Sequence, residues 1–259
     1  MVNRDTAWPE GTPCWVDLGV DDIKKAVAFY SAQFGWDIEE GGPEVGGYSL
    51  AKLGGRNVAG IGPKMGGEQQ PTMWTTYLAV EDADATAAKI RNAGGQVIMG
   101  PMDVMELGRM AMAADATGGV FGIWQARLHT GSQVTNVAGT LTWNEQMSHD
   151  FEAAKKFYGA VFGYEFGDMS TPDFAYATLN LDGRPAGGIG AYPPGVPAGI
   201  PGSWAVYFGV ADTDAAVARA TAAGGALVHQ PADTPYGRMA MVTDDQGAGF
   251  SLLSVSADA

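Results

Sequence analysis

Residues 15–36, WVDLGVDDIKKAVAFYSAQFGW, return at residues 143–164 as WNEQMSHDFEAAKKFYGAVFGY. The offset of 128 sets Trp15 on Trp143, Asp17 on Glu145, Phe29-Tyr30 on Phe157-Tyr158 and Phe34-Gly35 on Phe162-Gly163. It continues through Tyr48 on Tyr176 and Gly60-Ile61-Gly62 on Gly188-Ile189-Gly190. Further along, an offset of 130 takes Trp74 to Trp204, Tyr77 to Tyr207 and Ala93-Gly94-Gly95 to Ala223-Gly224-Gly225. After one deletion the offset is 129, which lays Gly108-Arg109-Met110-Ala111-Met112 on Gly237-Arg238-Met239-Ala240-Met241. A repeat of this period means two similar units in tandem. The expected division is residues 1–128, a polar linker over 129–136, and residues 137–259.

Each half contains the same local signals twice. Asp21-Asp22 offers a cap, and Ile23, Val27, Tyr30 and Phe34 recur at helical spacing. Phe151, Ala154, Tyr158, Val161 and Phe162 repeat that face. Asp82 to Asn92 and Asp212 to Ala222 read as Ala-rich helices, each closed by a glycine, Gly94 or Gly224. Alternation marks strands in Tyr48 to Leu53, Val97 to Met99, Met110 to Ala114 and Val120 to Gln125. Four strand-helix-strand modules follow, an α+β chain. The 38 glycines agree with many short strands and tight turns.

Composition narrows function. The chain has 259 residues, 46% hydrophobic, enough for two domains that each bury a core. A net charge of −14 opposes nucleic acid and anionic membrane as partners. No apolar run approaches the roughly 18 residues of a membrane span, and Met1 to Gly11 has no signal-like apolar stretch, so a cytoplasmic protein is expected. The one cysteine, Cys14, reads as a small strand residue. No glycine-rich phosphate loop, serine elbow or paired-cysteine metal motif is present.

Leu18-Gly19-Val20-Asp21-Asp22 leading into a helix with Ala28-Phe29-Tyr30, then Phe34-Gly35-Trp36, Ala93-Gly94-Gly95 and Asp115-Ala116-Thr117-Gly118-Gly119, resembles the vicinal oxygen chelate proteins. That superfamily holds the glyoxalases, bleomycin-resistance proteins and extradiol dioxygenases. The likeness covers nearly the whole chain and is nearest to two-domain members loosely labelled glyoxalases or hydroxylases. It implies four βαβββ modules in two tandem glyoxalase-fold domains, with mixed sheets curled into cups that each hold a divalent metal. Here, however, the metal-ligand positions fall on Trp15, Thr75, Trp143 and Ala205, and on Gly122 and Ser251 for the last-strand glutamate. None is a ligand for a divalent cation, so no cofactor of the superfamily's type is expected. His129 in the linker, His149 before a helix and His229 at a strand end read as solvated or packing residues.

Side chains two apart on a strand share a face, so Trp15 with Asp17, and Trp143 with Glu145, would present an indole beside a carboxylate. By the layout the resemblance implies, that face is the cup. Asp17 and Glu145 are the candidate acid–base groups, since an apolar wall raises a carboxyl pKa toward neutrality. Trp15, Trp143, Tyr77 and Tyr207 are candidate substrate contacts, with core anchoring as the simpler alternative. Arg109 and Arg238 would either clamp a carboxylate or enolate or pair with surface acids. Met99, Met102, Met105, Met110 and Met112 would line an apolar pocket or fill the core. Pro193 to Pro201 reads as an extended loop bordering the fourth module's cup. The expected partner is an apolar or aromatic small molecule, handled by lyase- or isomerase-type chemistry or simply sequestered. A metal-dependent glyoxalase or dioxygenase is the third reading. Two cups complete within one chain favour a monomer over a homodimer.

Overall fold

The computed structural model describes residues 1–67 and 70–256; the last three residues of the expected second domain lie outside that range. A short strand β1 (Val2–Asn3) precedes the first module, which runs β2 (Pro13–Val20), α1 (Ile23–Phe34), β3 (Asp37–Glu39), β4 (Ser49–Leu53) and β5 (Arg56–Pro63). The second runs β6 (Met73–Ala79), α2 (Ala83–Asn92), β7 (Gln96–Val104), β8 (Gly108–Ala114) and β9 (Val120–Ala126). After β10 (Val134–Thr135) the third follows as β11 (Leu141–Ser148), α3 (Phe151–Phe162), β12 (Glu165–Asp168), β13 (Tyr176–Leu181) and β14 (Arg184–Ala191). The fourth is β15 (Ser203–Val210), α4 (Thr213–Ala222), β16 (Ala226–Thr234), β17 (Gly237–Thr243) and β18 (Gly249–Ser254). Each module is βαβββ.

The helices begin where the sequence says. Asp22, Asp82, Asp150 and Asp212 each accept the backbone N–H three residues on, satisfying a donor that the first helical turn leaves free. Gly35 and Gly163 close α1 and α3 in the left-handed conformation, at φ 71° and 72°.

Modules pair within each half. The first sheet has the order β3-β4-β5-β2-β6-β9-β8-β7 and the second β12-β13-β14-β11-β15-β18-β17-β16. Both are mixed, open, eight-stranded sheets in which the two modules' first strands meet antiparallel at the centre, β2 on β6 and β11 on β15. The sheets stack back to back, with β6 against β15 at the centre and α1 on α4 and α2 on α3 beside that contact. One apolar cluster joins the first module to the fourth, with Phe29, Tyr30 and Phe34 against Phe208 and Phe250. The other joins the second to the third, with Phe121 and Ile123 against Phe157 and Phe162. Both cups therefore face outward.

Two sequence expectations need correction. Strands β7 and β16 do not stop at Met99 or His229. They continue past Pro101 and Pro231 to Val104 and Thr234, because both are edge strands, where a missing proline N–H costs no ladder bond. His229 is thus an exposed mid-strand residue opposite Met241. The Pro193–Pro201 loop does not border a cup: Pro201 sits against Gly118, and the Pro197 carbonyl lies 2.9 Å from His149 Nε2, at the seam between the halves.

Candidate active site

The second cup is built from five strands, β11, β13, β14, β15 and β18. Trp143 and Glu145 lie on β11; Trp143 is opposite Tyr207, and Glu145 is opposite both Ala205 and Gly188. Tyr207 is opposite Ser251 and Tyr176 opposite Gly190. Directly opposed residues share a face, so these side chains converge. Glu145 accepts one hydrogen bond from Tyr207, at 2.5 Å through Oε1, and one from Tyr176, at 2.8 Å through Oε2. The Trp143 indole N–H donates to the Tyr176 hydroxyl at 3.0 Å. All four residues are half-buried. Burial raises the Glu145 pKa above its ordinary value, and the two phenol donors offset part of that rise.

The first cup repeats the arrangement. The Trp15 N–H donates to the Tyr48 hydroxyl at 2.9 Å, and that hydroxyl lies 3.5 Å from Asp17 Oδ2. Burial pushes the Asp17 pKa up to about 7 against the opposing pull of Tyr77 and Tyr48. Its surroundings differ, however. Trp15 and Tyr77 are only 4% and 3% exposed, packed in a cluster with Cys14, Met110, Met112 and Trp124. The segment after β9 lies over them. His129 donates its backbone N–H to Leu107 and accepts from the Trp124 indole, at 3.0 and 2.9 Å. Its ring stands edge-on to Trp15 at 4.4 Å between centroids and to Trp124 at 5.5 Å. Ser132 and Gln133 then donate to the Cys14 and Asn57 carbonyls. Residues expected as a polar linker are thus a fitted cover.

Asp17, Glu145, Trp15, Trp143, Tyr77 and Tyr207 all face their cups. Arg109 and Arg238 do not, and the expected oxyanion clamp is corrected accordingly. Each adjoins a cup-facing methionine, Met110 or Met239, so alternation turns it to the helix side. There Arg109 forks onto Asp84 at 2.8 and 3.0 Å and Arg238 onto Asp214 at 2.6 and 3.1 Å. Among the methionines, Met99, Met110 and Met112 line the first cup, while Met102 and Met105 are exposed.

Sequence reasoning passed over Tyr48 and Tyr176 as site residues. The signal was the glycine pair on the neighbouring strand. A Cβ on Gly60 or Gly188 would overlap the tyrosine hydroxyl, and one on Gly62 or Gly190 would meet the ring. Alternating glycines there leave a trough in which a phenol lies flat, aimed at the carboxylate.

The sequence profile of the Glyoxalase/Bleomycin resistance protein/Dioxygenase superfamily matches residues 14–122 and again 140–252. The chain belongs to this superfamily. Among its relatives, "Putative glyoxylase CFP32" of Mycobacterium tuberculosis is 42% identical over 96% of this chain and 97% of its own. The "Anthracycline biosynthesis protein DnrV" of Streptomyces peucetius is 36% identical over 96% and 95%. In fold, the superfamily likeness extends to the Mn(II)-bound glyoxalase from Novosphingobium aromaticivorans, at TM-score 0.67 and 18% identity over 97% of this chain and 86% of that one. It extends also to the 2,3-dioxygenase LapB from Pseudomonas sp. KL28, at TM-score 0.66 and 12% identity over 96% of each.

The superfamily's metal does not suit these cups. Thr75 and Ala205 stand opposite Asp17 and Glu145, and Gly122 and Ser251 opposite Tyr77 and Tyr207, so the ligand positions do surround each carboxylate. They carry no donor for a divalent cation, which needs several imidazole, carboxylate or thiolate groups. Among the described residues the second cup offers Glu145 alone, with both oxygens engaged by phenols. The first adds only His129, whose ring packs on two indoles. Among the described residues no three His, Cys, Asp or Glu side chains are grouped to hold a metal.

Proposed function

We propose that the second cup is the working site of an enzyme that performs lyase- or isomerase-type acid–base chemistry on an apolar or aromatic small molecule without a divalent cation. The carrying observation is Glu145 on a half-buried floor, held by Tyr176 and Tyr207 beside the Trp143 indole. A carboxylate raised by burial is a stronger base than a free one, and it lies nearer the pKa at which proton transfer is efficient at neutral pH. Glu145 takes a proton from substrate carbon or hydroxyl. The phenols fix its two oxygens while it is charged, and once Glu145 holds the proton each can turn its single O–H to an oxyanion forming beside it. Trp143 supplies a flat apolar wall. The relatives named for anthracycline biosynthesis fit a ring-bearing substrate. With each sheet completed inside one chain, the proposed unit is a cytoplasmic monomer.

The test is turnover of a panel of enolisable aromatic ketones and aldehydes in chelator-treated buffer. Glu145→Gln is expected to lower the rate about 10²- to 10⁴-fold with ligand affinity kept. Full activity in that variant would remove Glu145 from the chemistry. Ligand binding without turnover by the unaltered protein would instead make the cup a sequestering site, a reading favoured by the carboxylate having both oxygens already satisfied.

A further inference from the structure

The two cups are copies, and one has an occupant. In the first, the ring of His129 stands edge-on to Trp15 and to Trp124. It enters from the protein's own chain, pinned through its backbone on both sides by Leu107 and the Trp124 indole. The ring is neutral near pH 7, because burial pushes its pKa down to about 4. It makes its contacts through its faces and edges, as a bound heteroaromatic would.

In the second cup the floor is the same, and among the described residues no ring stands on it as His129 stands on the first. Trp143 stands for Trp15 and Leu253 for Trp124. Trp143 and Tyr207 are half-buried where Trp15 and Tyr77 are buried. The rim is apolar and aromatic. Phe174 stacks on Tyr176 at 5.6 Å, and the Tyr236 hydroxyl lies 3.8 Å from Met169 Sδ, with Tyr236 68% exposed. Leucine in place of the second indole leaves more width than the first cup has.

We propose that His129 is an intramolecular stand-in for the ligand. Its ring against Trp15 marks the seat that a neutral aromatic or heteroaromatic ring takes against Trp143 and Leu253, so each chain carries one working site. This rests on the second cup being the ligand site, and it adds the ligand's class and the reason for one site rather than two.

The test titrates the full-length chain with 1-naphthol by calorimetry. The expected result is one equivalent per chain, with affinity lowered at least tenfold in Trp143→Ala. Two equivalents in the unaltered protein, none, or unchanged affinity in Trp143→Ala would overturn the proposal. A second arm adds imidazole to His129→Gly. Its thermal midpoint should rise more than that of the unaltered protein, since only the variant has the vacated seat, whereas His129→Phe should gain no more than the unaltered protein. An equal rise in His129→Gly and the unaltered protein would overturn the stand-in. Should His129→Gly fail to fold, the naphthol arm still decides. The readouts also separate this proposal from the catalytic one: full turnover in Glu145→Gln would remove the base while a single naphthol seat at Trp143 stands, and two seats would remove this inference while the base stands.

Discussion

Asp17 and Glu145 have equivalent partners and different access, and the difference has consequences that can be measured. The ordinary aspartate value is about 3.9, and Asp17 in the folded chain sits at about 7. Between those values the native state keeps a proton that the unfolded chain releases. Native stability therefore falls as pH rises through that window, and above pH 7 the charged group is a net cost. Water reaching the half-buried carboxyl reduces the full effect of such a shift to about 2 kcal/mol. Asp17→Asn should raise the thermal midpoint at pH 8 by about 4–8 °C and leave it unchanged at pH 4; a difference independent of pH would refute the burial argument. At Gly188, an added methyl group would collide with the Tyr176 hydroxyl and come within 3.0 Å of the Trp143 indole nitrogen. Gly188→Ala should therefore swing the phenol off Glu145 and match Tyr176→Phe in its loss of turnover, with native near-UV circular dichroism. Full activity would show that the phenol is not needed on the carboxylate.

At the scale of elements, the turn before each last strand ties the halves together. Asp115 accepts the Thr117 and Gly119 N–H groups through Oδ1, at 2.7 and 2.9 Å, and the Tyr158 hydroxyl of α3 through Oδ2, at 2.8 Å. The Trp204 indole donates to that hydroxyl at 2.7 Å. Asp244, Tyr30 and Trp74 form the equivalent chain across the other seam, with bonds of 3.1 and 3.0 Å. Tyr158→Phe removes a charge-assisted bond and strands a buried indole N–H, at a cost of about 2 kcal/mol. Its midpoint should fall by about 4–8 °C, and an unchanged midpoint in a heat scan would contradict the latch. The helices and their caps were legible because Ile23, Tyr30 and Phe34 carry a strong period and Asp22 and Gly35 bound it. The run of β7 and β16 past proline was not legible, since edge position is set by strand order and not by local sequence. Nor was the seam: Asp115 to Tyr158 spans 43 residues, and nothing in either segment names its partner.

For the whole molecule, tandem repetition gives two cups on opposite faces of a shared core of strands and helices, and divergence has given them different fates. The period of 128–130 disclosed the pairing of Trp15 with Asp17 and of Trp143 with Glu145, because alternation on a strand is a local rule. It did not disclose that residues 127–133 fold over the first cup, since a polar segment with Gly131 and Ser132 looks the same whether it spans solvent or fits a surface. The arginines show the complementary failure: a residue type suited to clamping an anion was placed by strand parity on the helix side, against Asp84 and Asp214. The central claim is that a carboxyl raised by burial, with no cation beside it, governs the second cup. The direct test is carbon NMR of the chain labelled at glutamate side-chain carboxyls, titrated with and without manganese. The resonance that disappears in Glu145→Gln should titrate above the ordinary glutamate value of about 4.3 and stay sharp with stoichiometric Mn(II). A midpoint at or below that value, or selective broadening of this resonance by one equivalent of metal, would contradict the account.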